Sequence, residues 1–294
     1  MSAATSLFPA KRVLTFVGLI CLPGLTGICG CANESSVEAP NSSGDVIAAI
    51  QKLGGRCEID FRSQSKPIIS VVLTRGKVTD ADGKLFSGLT ELKSLKLGST
   101  AITGAFLPSL KGLQKLETLD VSGTDVDDES LVHVQDLTGL QTLILNGTKV
   151  TDAGLSQLKG VSALRDLGIA NTKVAGPGLR HLEQLQGLQV LNLSGTEIDD
   201  SGLKNIENLK SLKMIWMNSK VTDAGLVHLA GLSNIGELNL SGTAVTDVGL
   251  DQLSNLSTLR KIDLAGTETT DAGVDRFKQA VPECLVLRSP PTAP

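Results

Sequence analysis

An α/β solenoid is the fold class expected of this chain, on three observations. Apolar residues recur with a period of 24. Each period joins a strand-like half to a helix-like half, and aromatic residues make up only 2 % of the sequence, which suits a thin core layered from aliphatic side chains. Leucine or its kin falls at Leu140, Leu143, Leu145, Val150, Leu155, Leu158 and Val161, with Thr148 at the bend. One period upstream the same places hold Leu116, Leu119, Val121, Val126, Leu131, Val134 and Leu137. One period downstream they hold Leu164, Leu167, Ile169, Val174, Leu179, Leu182 and Leu185. A fixed period in this range marks stacked supersecondary units.

The spacing explains each half of the unit. Leu143 and Leu145 alternate, so they point to one face of an extended strand and Ile144 points to the other. Gly147 suits the turn that follows. Thr151 and Asp152 are residue types that accept hydrogen bonds from free N–H groups at a helix start. Leu155, Leu158 and Val161 then recur at threes, on one helical stripe. A lone unit buries too little apolar surface to offset the ordering of its backbone, so stacking on neighbours is required.

In chain order, Lys11 and Arg12 precede an apolar run from Val13 that ends in small residues, which reads as a secretory signal over residues 1–30. The run is also close to spanning length, which leaves an uncleaved membrane anchor as the alternative. Residues 31–43 are rich in Ser, Asn and Glu and read as a flexible tether. An N-terminal cap is expected over 44–65, with Val46, Ile47, Ile50 and Leu53 at helical spacing and an extended segment through Cys57, Ile59 and Phe61. Repeats are expected over 66–281, one degenerate and eight regular. In the degenerate one Gly83 stands in a leucine position, and the sixth regular repeat is one residue short before Val221. Residues 282–294 are expected to add a last strand around Leu285 and then a disordered tail.

The consensus Leu-x-x-Leu-x-Leu-x-x-Thr-x-Val-Thr-Asp-x-Gly-Leu-x-x-Leu-x-x-Leu, carried over roughly two thirds of the chain, resembles the leucine-rich repeat family. The variant with Thr at the bend and Thr-Asp-x-Gly-Leu after it is similar to repeats of many bacterial surface and envelope proteins and of F-box-associated receptors. The resemblance implies a leucine-rich repeat solenoid of ribonuclease-inhibitor-like horseshoe form: a curved parallel sheet on the concave side, helices on the convex side, and protein recognition on the sheet. The export segment and short cap leave no room for an F-box. Ile28-Cys29-Gly30-Cys31 resembles the bacterial lipobox, which implies cleavage before Cys31, acyl chains on Cys31 and an extracytoplasmic protein held to the cell envelope by lipid.

Several chemistries are disfavoured. A net charge of −4 lacks the basic excess of a nucleic-acid binder. GxSxG, HExxH, P-loop and CxxC motifs are absent, so no enzyme and no cofactor is expected. His133, His181 and His228 share a helix column that is otherwise polar, in repeats too far apart to converge on a metal. Cys57 and Cys284 belong to opposite caps, on the order of 40 Å apart at strand spacing, and are expected to stay unpaired and buried. Asp80, Asp128, Asp152, Asp200, Asp223, Asp247 and Asp271 form a column that Gly104 and Gly176 interrupt, and each aspartate is expected to cap the helix it begins rather than to bind calcium.

What remains is the outward face of the strands. Its two columns run Lys96, Asp120, Ile144, Gly168, Asn192, Trp216, Asn239, Asp263 and Ser94, Thr118, Thr142, Asp166, Val190, Met214, Glu237, Lys261. Trp216, the single tryptophan, falls beside Met214 and Val190 in an otherwise small and polar sheet, the composition of a binding hot spot. Candidate contact residues are Trp216, Met214, Val190, Asn192, Asn239, Glu237, Ile144 and Asp166, for a protein or peptide partner. The competing expectation is that the short sixth repeat shifts register and turns Trp216 inward. A structural cell-surface spacer without a specific partner is the alternative function.

Overall fold

Every leucine-column residue of the repeats points into one continuous apolar core, and the strand geometry follows from that. In each strand the middle residue (Leu95, Leu119, Leu143, Leu167, Leu191, Ile215, Leu238 and Ile262) is buried and its two neighbours face the other way. The computed structural model describes residues 43–288, all within one compact unit. The expected signal, Cys31, most of the tether and the last six residues lie outside the described residues.

Eleven strands form one sheet in sequential order. β1 (Arg56–Ile59) pairs antiparallel with β2 (Ile68–Val72), and all later pairs are parallel. β3 (Ser94–Lys96), β4 (Thr118–Asp120), β5 (Thr142–Ile144), β6 (Asp166–Gly168) and β7 (Val190–Asn192) follow at the repeat interval. β8 (Met214–Trp216), β9 (Glu237–Asn239), β10 (Lys261–Asp263) and the terminal β11 (Leu285–Leu287) complete the sheet. At the N-terminal end α1 (Ser43–Lys52) buries Val46 and Ile50, and Phe86 meets Phe106 edge-on at 5.4 Å beneath the degenerate first repeat. At the other end α6 (Asp271–Ala280) closes the core with Val274 and Phe277.

Between strands the chain returns through short helical pieces, several of them 3-10 turns instead of the full α-helices the spacing suggests. The turns that leave β4 to β7 and β9 are fixed by a buried threonine column. Thr124, Thr148, Thr172, Thr196 and Thr243 are buried, each hydroxyl donating to the carbonyl three residues back at 2.6 Å. The residue before each of these threonines takes positive φ, and it is glycine at Gly123, Gly147, Gly195 and Gly242 and asparagine at Asn171.

The aspartate column works differently from the expectation. Threonine, not the column aspartate, holds the N-cap in five repeats: the hydroxyls of Thr103, Thr151, Thr222, Thr246 and Thr270 accept from helix N–H groups at 3.2–3.3 Å, and before Asp200 the cap is Asp199, which accepts from Gly202 N–H at 3.2 Å. Those hydroxyls in turn donate, at 2.6–2.7 Å, to Asp80, Asp128, Asp200, Asp223 and Asp247 of the preceding repeat. The threonine N–H donates to the second carboxylate oxygen at 2.7–2.8 Å. Each of these five aspartates therefore staples its repeat to the next, because at the first helical position its carboxylate points along the stack; Asp152 does so through the Ala175 N–H alone, and Asp271 pairs with Arg288.

The glycine of Thr-Asp-x-Gly makes room for that staple. A β-carbon on Gly154, Gly178, Gly225, Gly249 or Gly273 would lie within 3.0 Å of a carboxylate oxygen of Asp128, Asp152, Asp200, Asp223 or Asp247. Where glycine replaces the aspartate, the constraint relaxes on the far side: Gly104 faces Ser130, and a β-carbon on Gly104 would lie within 3.0 Å of the Ser130 β-carbon. At least one member of these facing pairs is glycine, except at the first, where Asp80 stands opposite Phe106. Gly249→Ser is expected to destabilise the chain by about 1–3 kcal/mol through overpacking. The double change Asp223→Gly with Gly249→Ser should cost less than the sum of the two single changes, by at least ~1 kcal/mol, in a urea-unfolding double-mutant cycle.

Candidate recognition face of the sheet

The outward face of the sheet is built by register. Val190, Met214 and Glu237 align across β7, β8 and β9, as do Asn192, Trp216 and Asn239. Thr142, Asp166 and Val190 continue the first row, and Ile144, Gly168 and Asn192 the second. All eight sequence candidates thus lie on the same face. Trp216, Met214, Val190, Asn192, Asn239 and Glu237 occupy three adjacent strands, whereas Ile144 is separated from them by the side-chain-free Gly168.

The short sixth repeat does not turn Trp216 inward. Trp216 is half-buried on the outer face while Ile215 and Met217 on either side are buried. The missing residue is absorbed after the strand, where the other turns place their positive-φ residue. Asn218 is buried and donates from Nδ2 to the Ile198 carbonyl at 2.6 Å, in place of the backbone N–H that makes this bond in other repeats (Lys149 to Val126, Glu197 to Val174). This local repair keeps β8 in step with β7 and β9.

Trp216 differs from its two neighbours in the column. In four repeats this column braces the turn that follows: Asp120 accepts from Ser122 N–H at 2.9 Å, Asn192 from Ser194 N–H at 3.1 Å, Asn239 from Ser241 N–H at 2.9 Å and Asp263 from Ala265 N–H at 3.0 Å, whereas Ile144 and Gly168 in full-length repeats do not. Asn192 and Asn239 therefore serve their own turns first. The shortened turn after β8 is held by Asn218 instead, and an indole replaces the turn-bracing side chain.

Around Trp216 the polar groups are partly matched. Lys261 Nζ lies 3.3 Å from Glu237 Oε2, which neutralises that carboxylate. Asp166 accepts from the Thr142 hydroxyl at 3.2 Å. A small hollow of about 70 Å³ extends from Met214 and Trp216 across Asn239, Lys261 and Asp263 to Leu287. Leu285 and Leu287 are outward and exposed (57 % and 38 %), and the sequence reading omits them. Their signal was present: Leu285-Val286-Leu287 alternates with Val286 packed on the core, which forces both leucines outward.

The remaining candidates stay apart from this face. His133, His181 and His228 are half-buried on the helical side, and His228 Nδ1 sits 3.2 Å from Glu207. Among the described residues no group of His, Cys, Asp or Glu is arranged to hold a metal ion. Cys57 and Cys284 are free thiols; Cys284 is buried and its pKa is pushed up to about 11 by desolvation, but Cys57 is only half-buried.

Residues 69–126 and 184–206 each match a family model described as leucine rich repeat. No curated protein matches the chain in sequence. Among solved structures, an internalin (InlF) from Listeria monocytogenes is similar with a TM-score of 0.59 at 20 % identity, over 83 % of this chain and 73 % of that one. An internalin C2 from the same organism is similar with a TM-score of 0.51 at 19 % identity, over 83 % and 92 %. Sheet, repeats and matches together show a leucine-rich repeat solenoid fold, with internalin structures among its structural neighbours; at this identity that likeness carries the fold alone.

Asn218→Ala should remove the donor to the Ile198 carbonyl and cost about 1–3 kcal/mol in urea unfolding. Near-identical tryptophan emission before unfolding would show that Trp216 keeps its place in the variant.

Proposed function

We propose that this chain is a recognition module whose outward sheet face binds a protein or peptide partner through Trp216, Met214 and Val190. The carrying observation is the single tryptophan held half-buried on the outer sheet face beside Met214 and Val190, while Ile215 and Met217 on either side of it pack in the core. A large aromatic held half-exposed on a rigid strand contributes nothing to the core and supplies a preorganised anchor for a partner. Asn192, Asn239, Glu237 and Asp166 would form the polar rim, and Ile144 an outlying apolar contact. The reading is of a binding module rather than an enzyme.

The setting proposed for it is the cell envelope. The lipobox-like Ile28-Cys29-Gly30-Cys31 supports acylation at Cys31, after removal of residues 1–30, with 31–43 as a tether that lets the repeats search for their partner. Among the described residues no helix is long and apolar enough to cross a membrane. Mass spectrometry of the purified chain's N-terminal peptide tests the anchor: a diacylated or triacylated Cys31 supports it, and an intact Met1 contradicts it.

Trp216→Ala should leave the melting temperature nearly unchanged, because the side chain lies outside the core. The same variant should lose about thirtyfold or more in affinity for proteins co-purified with the wild-type chain from solubilised envelope. A folded variant that retains them at wild-type affinity contradicts the proposal, as would a wild-type chain that retains none.

A further inference from the structure

We infer that the hollow between Trp216 and Leu287 receives an extended segment of a partner protein with the pattern apolar–any–basic–any–apolar, the basic side chain seated on Asp263. The inference rests on the recognition reading above and deepens it by naming the partner's chemistry.

Trp216, Asn239, Asp263 and Leu287 form one row across β8 to β11, in register. Both ends of the row are apolar and the middle is polar. Three strand steps separate the ends by about 14 Å, and the first and fifth residues of an extended peptide lie about 13.5 Å apart on the same side. A peptide crossing the strands can therefore set two apolar side chains on Trp216 and Leu287 together. Its third residue then falls over Asn239 and Asp263.

The charge at that midpoint is unmatched. Asn239 Oδ1 is occupied by the N–H and hydroxyl of Ser241 at 2.9 and 2.7 Å. Asp263 Oδ1 accepts from Ala265 N–H at 3.0 Å, while its Oδ2 has only a long contact of 3.5 Å with Asn239 Nδ2. Among the described residues no basic side chain pairs with Asp263, since Lys261 is turned to Glu237. A lysine or arginine over Asp263 supplies the missing cation, and an acidic residue there meets repulsion.

The test is selection from a displayed random-peptide library on the full-length chain, followed by titration of the best synthetic peptide with Trp216 fluorescence as the readout. Enrichment of two apolar residues four apart, with Lys or Arg midway, is expected. Leu287→Ser and Asp263→Asn should each weaken that peptide about tenfold, and Asp263→Asn should do so without affecting a neutral-centred analogue. No enrichment of the pattern, an acidic residue at the centre, or wild-type affinity in both variants overturns the inference. So does concentration-dependent self-association abolished by Leu287→Ser, which would make a second copy of the chain the occupant. If Trp216→Ala loses the partner while Leu287→Ser and Asp263→Asn retain it, the recognition reading stands and the assignment of this hollow falls.

Discussion

From Gly104 onward, successive repeats approach so closely at their helix starts that two β-carbons cannot face each other there. That steric constraint organises the stack. At most junctions it leaves one side to glycine and gives the other to a carboxylate, which reaches the threonine of the next coil or, from Asp152, the Ala175 N–H. The resulting unit spans two repeats, with hydroxyl, carboxylate and glycine each meaningful only beside its neighbour. Leucine burial supplies most of the driving force, but burial is non-directional. The aspartate–threonine staples supply direction, holding each coil at one height against the next.

This explains what was legible in the chain and what was not. The strands, their inward leucines and the outward columns follow from residue spacing alone, because a period of two on a strand and a period near three on the return leg are local properties. The aspartate column was also visible, and its aspartates do sit at helix starts. Their partners were not visible, because a residue's own helix and the next helix along the stack lie at comparable reach, and only the direction of the first helical side chain decides between them. Gly104 and Gly176 looked like interruptions of a column; beside Ser130 and Gly202 they are the other allowed solutions of the same steric rule.

The sixth repeat shows the same logic at the candidate site. A one-residue deletion might have been expected to slip the register and send Trp216 to the core. It removes instead the positive-φ turn residue, a loss that Asn218 absorbs without moving the strand. Position 216, like Ile144 in the same column, carries an apolar side chain instead of a turn-bracing one. Trp216, Met214 and Val190 were readable as an outward cluster from sequence. Leu285 and Leu287 were not included, because their orientation depends on β11 joining the sheet in parallel register, a tertiary fact.

The central claim is that the sheet stays in register through β8 and so displays Trp216. Acrylamide quenching of the chain's single tryptophan measures this most directly. Partial accessibility in the folded chain is predicted, well above that of a core indole and below that of the urea-unfolded chain. Quenching as weak as that of a fully buried tryptophan would contradict the account.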